Sequence, residues 1–280
     1  MSLRHLRMGL STILGLAPQG FFIPHRYAGQ LTPAARQHPY DHAARLFAAH
    51  AGRFAATLSL IDGYADALEA IGGAPPPAPR WTQDWFPRLD GAVLYGLMRH
   101  HRPRRVVEVG SGHSTRFVVQ AVRDGAFETS IVAIDPAPRA SLATLPVRVI
   151  RTTVQDAGRE PFAALEAGDF LVIDSSHVLM PGTDVDVLLN RILPALCGGV
   201  VIHFHDIFLP DPYPSEWDWR GYNEQQAVAA LLCGGERFEP LFASRYVTRF
   251  MAERLAQSAV SSLPLPPGAF ESSLWLRRRG

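Results

Sequence analysis

The chain has 280 residues, 47% of them hydrophobic and 19% charged, which is enough for one large domain with a full apolar core. A formal charge of +1, from 27 basic and 26 acidic residues, gives no electrostatic ground for nucleic acid as a partner. All the basic residues are arginine, which excludes lysine as Schiff base, P-loop ligand or general base. Cys197 and Cys233 are the only cysteines. They are too few for a disulfide framework and lack metal-ligand spacing, so a reduced, cytoplasmic setting is expected. No apolar run is long enough for a membrane span.

In chain order, Arg4 and Arg7 precede a short apolar run over 8–17 that mimics a signal peptide but lacks a small-residue cleavage site. An ordinary N-terminal segment is expected, with contact to a membrane surface or a partner as the alternative. Residues 34–71 repeat apolar positions at three- and four-residue steps and predict one helix. Gly72-Gly73 ends it, and the proline-rich stretch 75–79 is a stiff connector. The expected division is therefore 1–79 as a helical cap with its connector and 80–280 as the main domain. Beyond the connector, helix and strand alternate. Helices are predicted over 90–101, 114–123, 161–166, 185–196 and 223–232. Strands are predicted over 105–109, 130–134, 147–151, 169–173, 200–204, 237–242 and 272–277. This pattern predicts an α/β fold, a parallel sheet with helices on both faces.

The first strand runs into Glu108-Val109-Gly110-Ser111-Gly112-His113-Ser114-Thr115. Glycines here let the backbone turn tightly and approach a ligand. A nicotinamide fingerprint asks for a third glycine where Thr115 stands. Asp135 ends the second strand, where an acid in doubly wound folds reaches a ribose diol.

The acid–glycine turn with the later Asp135 resembles the class I S-adenosylmethionine-dependent methyltransferase family. The Asp174-Ser175-Ser176-His177 and His203-Phe204-His205-Asp206-Ile207-Phe208 motifs resemble one bacterial branch of it, over about residues 81–250. The resemblance implies a Rossmann-like seven-stranded methyltransferase sheet whose last strand, 272–277, is antiparallel. It also implies S-adenosylmethionine as cofactor, with Glu108, Gly110, Ser111, Gly112, Ser114, Asp135 and Asp174 around it.

Asp174, His177, His205 and Asp206 follow two strands that are neighbours in that fold, so they are expected to converge beside the transferred methyl. Two carboxylates suggest a divalent metal on Asp174, Asp206 and His205. Ile207 stands where the catechol-type relatives carry an Asn ligand, so histidine ligation would shift preference from Mg toward Mn, Fe or Zn. Alternatively His177 acts alone as general base, with Asp174 and Asp206 beside it. His203 alternates with Phe204 and is expected to be a hydrogen-bonded core histidine. The aromatic loop after 208 offers Tyr213, Trp217 and Trp219, with Asn223 and His177, as contacts for a small-molecule acceptor.

These expectations describe a methyltransferase acting on a hydroxyl of a small molecule or sugar, metal-assisted or not. The alternatives are a metal-dependent enzyme of another reaction type on the same fold, and a non-catalytic cofactor-binding subunit. A homo-oligomer is left open.

Overall fold

The computed structural model describes residues 3–33, 36–138 and 142–280. Its first helix, α1 (Leu3–Ile13), has no buried residue. The second, α2 (Asp41–Asp62), buries Ala43, Phe47, Phe54, Leu58 and Ile61 along one stripe. A short α3 (Ala65–Ala70) follows. The single helix expected over 34–71 is thus divided. Positions 34 and 35 lie outside the described residues, and residues 37–40 are not helical. Pro39 pushes His38 toward extended backbone, so helix begins only at Asp41. Gly63-Tyr64 then interrupts the run, at a residue with no Cβ to hold the helical turn.

The alternating part comprises α4 (Arg88–His101), β1 (Arg105–Val109), α5 (His113–Gly125), β2 (Ser130–Ile134), β3 (Arg148–Ile150), α6 (Glu160–Ala163) and β4 (Phe170–Ile173). It continues through α7 (Asp184–Val187), β5 (Val201–Phe204), α8 (Glu224–Cys233), β6 (Phe238–Ala243), α9 (Ser244–Phe250), α10 (Ala252–Ala256) and β7 (Leu274–Arg278). The helix expected over 185–196 keeps its α form only in α7. A wide-turn segment at Leu188–Ile192 and a tight one at Leu193–Ala195 follow. Pro194 has no N–H to donate, so the regular ladder cannot pass through it.

The seven strands form one sheet in the order β3-β2-β1-β4-β5-β7-β6, with β7 antiparallel to both neighbours. The order reverses between β1 and β4, which makes their carboxyl ends the switch point where ligands bind in such sheets. Register brings the strand ends level: Val109 lies opposite Ile134 and Ile173, and Ile173 opposite Phe204. Side chains that follow these four strands therefore emerge on one edge. β1, β4 and β5 are buried on both faces, as their continuous apolar runs require. α2 lies on β6 and α4, and the ring of Phe54 sits within 6 Å of the rings of Phe47, Phe242 and Tyr246. Among the described residues, no helix is long and apolar enough to cross a membrane.

Candidate active site

The turn after β1 is shaped by one close approach. Gly110 has φ +79°, and a Cβ there would stand 2.2 Å from the carbonyl oxygen of Asp174. Gly110 N–H donates to Ile134 O and Asp174 N–H to Val109 O, so β1, β2 and β4 close around this point. Gly112 is different: nothing lies within 4 Å of the position its Cβ would take. The open space beside Gly112 and the buried, unpartnered Nδ1 of His113 mark a cradle that fits a bound cofactor.

Glu108 is fully buried beneath this turn. It accepts hydrogen bonds from Ser114 Oγ and Thr115 Oγ1, both at 2.5 Å, and so fastens the first turn of α5. Burial pushes its carboxyl up to about 7, against the pull of those two hydroxyls. Ser114 is buried and engaged with Glu108, so it supports the turn from below rather than facing a ligand. Ser111 lies on the open side and donates to Asp135 Oδ2 at 2.7 Å. Asp135 Oδ1 accepts from Ala137 N–H at 2.8 Å, which aims the carboxylate along the sheet edge.

The four polar residues after β4 and β5 do converge. His177 is buried, with Nδ1 2.8 Å from Glu224 Oε2. Its Nε2 lies 3.2 Å from Asp174 Oδ1 and 3.5 Å from Asp206 Oδ2. His205, also buried, has Nδ1 3.3 Å from Asp206 Oδ1 and 3.7 Å from Asp174 Oδ1, and Nε2 3.6 Å from Asp90 Oδ2. Burial alone would disfavour charge on either ring. The carboxylates outweigh it, Asp174 and Glu224 at His177 and Asp206 and Asp174 at His205, and both ionise well above the usual 6.5. Burial likewise opposes charge on Asp174, yet the His177 and His205 hydrogen bonds hold it far below the ordinary carboxylate range. The side chain of Asp174 turns Oδ1 to both rings and remains 39% exposed.

Two members of this cluster, Asp90 and Glu224, were not assigned a site role from the sequence. Asp90, fully buried at the start of α4, accepts from Ser244 Oγ and from the backbone N–H groups of Ser272 and Ser273. Glu224 accepts from Ser175 Oγ as well as facing His177. Glu224 lies in a polar run and Asp90 stands alone among apolar neighbours, and what each faces depends on elements far away in the chain. His203 behaves as its place on β5 predicts: it is fully buried and hydrogen-bonded to Ser273 Oγ at 2.8 Å.

The expected metal site does not form. Among the described residues, no group of three or more His, Cys, Asp or Glu side chains is placed to hold a metal ion. Both rings are instead engaged by carboxylates, His177 by Glu224, Asp174 and Asp206 and His205 by Asp206, Asp174 and Asp90. Mg, Mn, Fe or Zn does not fit these residues as they stand.

Beside the cluster is a cavity of about 120 Å³ lined by Gln37, Tyr213, Trp217, Asp218, Gly221, Tyr222 and Gln226. Tyr222 connects the two, its ring centroid 4.7 Å from that of His177. Tyr213 is held by Gln225 N–H and packs with Trp217 and Phe208. Of the predicted acceptor contacts, Tyr213, Trp217 and His177 therefore line or adjoin the cavity. Trp219 is exposed and outside its lining, 6.2 Å from the ring of His5. Asn223 is committed elsewhere: its amide accepts from Leu179 N–H at 2.6 Å and donates to Leu179 O, clasping the loop after His177.

Residues 107–207 match the family described as a methyltransferase domain. The matched stretch runs from β1 to just past β5 and carries a methyltransferase domain, set in a sheet of the order β3-β2-β1-β4-β5-β7-β6. Among solved structures, the chain is similar to the methyltransferase PaMTH1 of Podospora anserina bound to S-adenosylhomocysteine (17% identity, 93% of this chain and 100% of that one, TM-score 0.44). It is also similar to the O-methyltransferase of Bacillus cereus in complex with S-adenosylhomocysteine (16% identity, 66% and 82% coverage, TM-score 0.39). A third likeness is to the plantazolicin methyltransferase BpumL with a pentazolic desmethylplantazolicin analogue and S-adenosylhomocysteine (12% identity, 86% and 100% coverage, TM-score 0.44). Likeness at this level carries no argument about the acceptor. No curated protein matches the chain.

Proposed function

We propose that the chain methylates a hydroxyl of a small molecule seated in the cavity beside Tyr222, with His177 as the general base. One observation carries this reading. Glu224 holds one nitrogen of His177, and the other is turned toward half-buried Asp174 and toward Asp206 at the switch point. That is a ring fixed by a buried carboxylate, with its second nitrogen directed to the edge where the ligands meet.

S-adenosylmethionine, when bound, supplies an electrophilic methyl group open to in-line attack. The remaining work belongs to this chain. Asp135 meets the ribose hydroxyls, and the backbone of residues 110–112 admits the ligand closely. Tyr213, Trp217 and Tyr222 exclude water around the acceptor, and Gln37, Gln226 and Asp218 offer it polar contacts. His177 in its neutral form takes the hydroxyl proton at Nε2, and Glu224 stabilises the resulting imidazolium. Asp174 and Asp206 stabilise the same charge. In this reading residues 80–280 carry the cofactor site and most of the acceptor site, residues 1–79 cover β6 and α4 as a cap and lend Gln37 to the acceptor, and the setting is cytoplasmic.

The test is turnover with a panel of hydroxyl-bearing small molecules, read as release of S-adenosylhomocysteine. Acceptor-dependent release that is lost in His177→Gln, with cofactor affinity retained, supports the assignment. Equal turnover by that variant removes His177 from the role.

A further inference from the structure

The burial pattern of α1 is inverted. Its half-buried positions are His5, Met8, Ser11 and Thr12, while Leu3, Leu6, Leu10 and Ile13 are 88%, 49%, 48% and 60% exposed. A helix that serves its own core does the opposite. The exposed residues follow three- and four-residue steps, so they form one continuous outward stripe. The stripe extends into the segment beyond, where Leu14, Leu16, Phe21, Phe22, Ile23, Tyr27 and Leu31 are also exposed. Eleven of the fifteen exposed large hydrophobic side chains among the described residues lie in residues 3–31. Single exposed apolar side chains are ordinary, but this concentration is not.

Charge decides what covers it. The first 40 residues contain Arg4, Arg7, Arg26 and Arg36 and no acidic residue, whereas the rest of the chain is net acidic. Arg7 is a helical neighbour of Leu3 and Leu10, so its guanidinium lies at the margin of the apolar stripe. Apolar side chains flanked by arginines, in a segment that carries no acid of its own, match the boundary between acyl chains and anionic headgroups. A second copy of the chain is a poorer match. A two-fold contact through this segment would set arginine against arginine with no acid in the segment itself to compensate.

We infer that residues 3–31 form a peripheral docking surface for anionic phospholipid, with the outer stripe of α1 lying in the headgroup–acyl boundary.

The test is co-sedimentation of the full chain with phosphatidylcholine vesicles, with and without phosphatidylglycerol. Binding should be strong only on the phosphatidylglycerol vesicles and should weaken with added salt. Leu6→Glu with Leu10→Glu should reduce it to the level on phosphatidylcholine. Arg4→Gln and Arg7→Gln should each weaken it about fivefold, the equivalent of ~1 kcal/mol per arginine. Calorimetric affinity for S-adenosylhomocysteine and the circular dichroism spectrum should be unchanged in all of these variants, which separates loss of docking from loss of fold. Equal binding to both vesicle types, or by the leucine variant, overturns the inference. So does light scattering that shows a lipid-free dimer dissolved by the leucine substitutions, because the stripe would then dock a second copy.

Discussion

His177 Nδ1 and Glu224 Oε2 meet at 2.8 Å although 47 positions separate them in the chain. The contact joins the loop after β4 to the first residue of α8. It is reinforced by the backbone N–H groups of Asn223 and Glu224, both donating to His177 O. The ring is thus fixed in place, and the carboxylate that fixes it also favours its protonated form.

That relationship sets a pH dependence. A base works only when neutral, and burial of this ring is outweighed by its carboxylate neighbours, so its ionisation lies well above 6.5. The rate is therefore expected to rise with pH through a limb on the alkaline side of 6.5. Glu224→Gln removes one of the carboxylates, so the limb should move to lower pH while the plateau of kcat falls by roughly tenfold or more. A limb that stays in place in Glu224→Gln would show that another group titrates.

Gly110 and Gly112 should separate folding from binding. Gly110→Ala drives a Cβ to 2.2 Å from Asp174 O at φ +79°, and is expected to destabilise the chain by about 1–3 kcal/mol or more. Gly112→Ala meets no atom within 4 Å. It should keep the thermal midpoint and weaken S-adenosylhomocysteine binding, because the added methyl stands in the cradle. Melting curves and calorimetry on the pair check both statements.

Asp135→Ala should lower cofactor affinity by about tenfold or more, the effect of losing hydrogen bonds to a charged group worth ~1.5–3 kcal/mol. Calorimetry with S-adenosylhomocysteine measures it. Unchanged affinity would place the ribose elsewhere.

Turnover by the cofactor-loaded enzyme should be unaffected by chelator. The cation that would join Asp174 to Asp206 is replaced by the rings of His177 and His205. Activity lost in EDTA and restored by a divalent metal would reverse this.

Stability should fall away on the acid side. Burial, together with the neighbouring His205 charge, pushes His203 down to about 3, and burial leads the shifts of His101 and His113 to about 4. In the unfolded chain these histidines take up protons near 6.5. As pH drops from 6.5 toward 4, the unfolded state gains protons that the folded state refuses, at up to ~1.4 kcal/mol per pH unit for fully buried His203 and less for the half-buried His101 and His113, which solvent screens. His177 and His205 act in the opposite sense. Their stabilisation is complete below 6.5 and is lost as pH rises through their elevated folded values. Urea midpoints measured across this range, with His203→Gln flattening the acid limb, test the assignment.

Much of this was legible in the sequence because it rests on local patterns. Ser130–Ile134 is a strand whose ends coincide with the predicted ones, and β1 matches likewise. Continuous apolar runs bounded by turn residues leave little choice there. The long helix over 34–71 was overextended because its periodicity carries across Gly63-Tyr64, and the break depends on conformation rather than on apolar spacing. The site was legible by type and place but not by partner. Asp174 and His177 are neighbours in sequence, whereas Glu224 and Asp90 reach the cluster only through α8 and α4. The metal expectation failed for the same reason. Whether a histidine offers a lone pair or a proton depends on the carboxylates around it, and two of those were hidden by distance along the chain.

The contact between Gly110 and the carbonyl of Asp174 makes the donor and acceptor halves of the site a single casting. The turn that admits the cofactor and the acid that faces the hydroxyl cannot be redesigned separately, since any side chain at 110 displaces the end of β4 and with it the loop that carries His177. Engineering a new acceptor range into this chain should therefore begin at Tyr213, Trp217 and Tyr222, which shape the cavity without bearing on that joint.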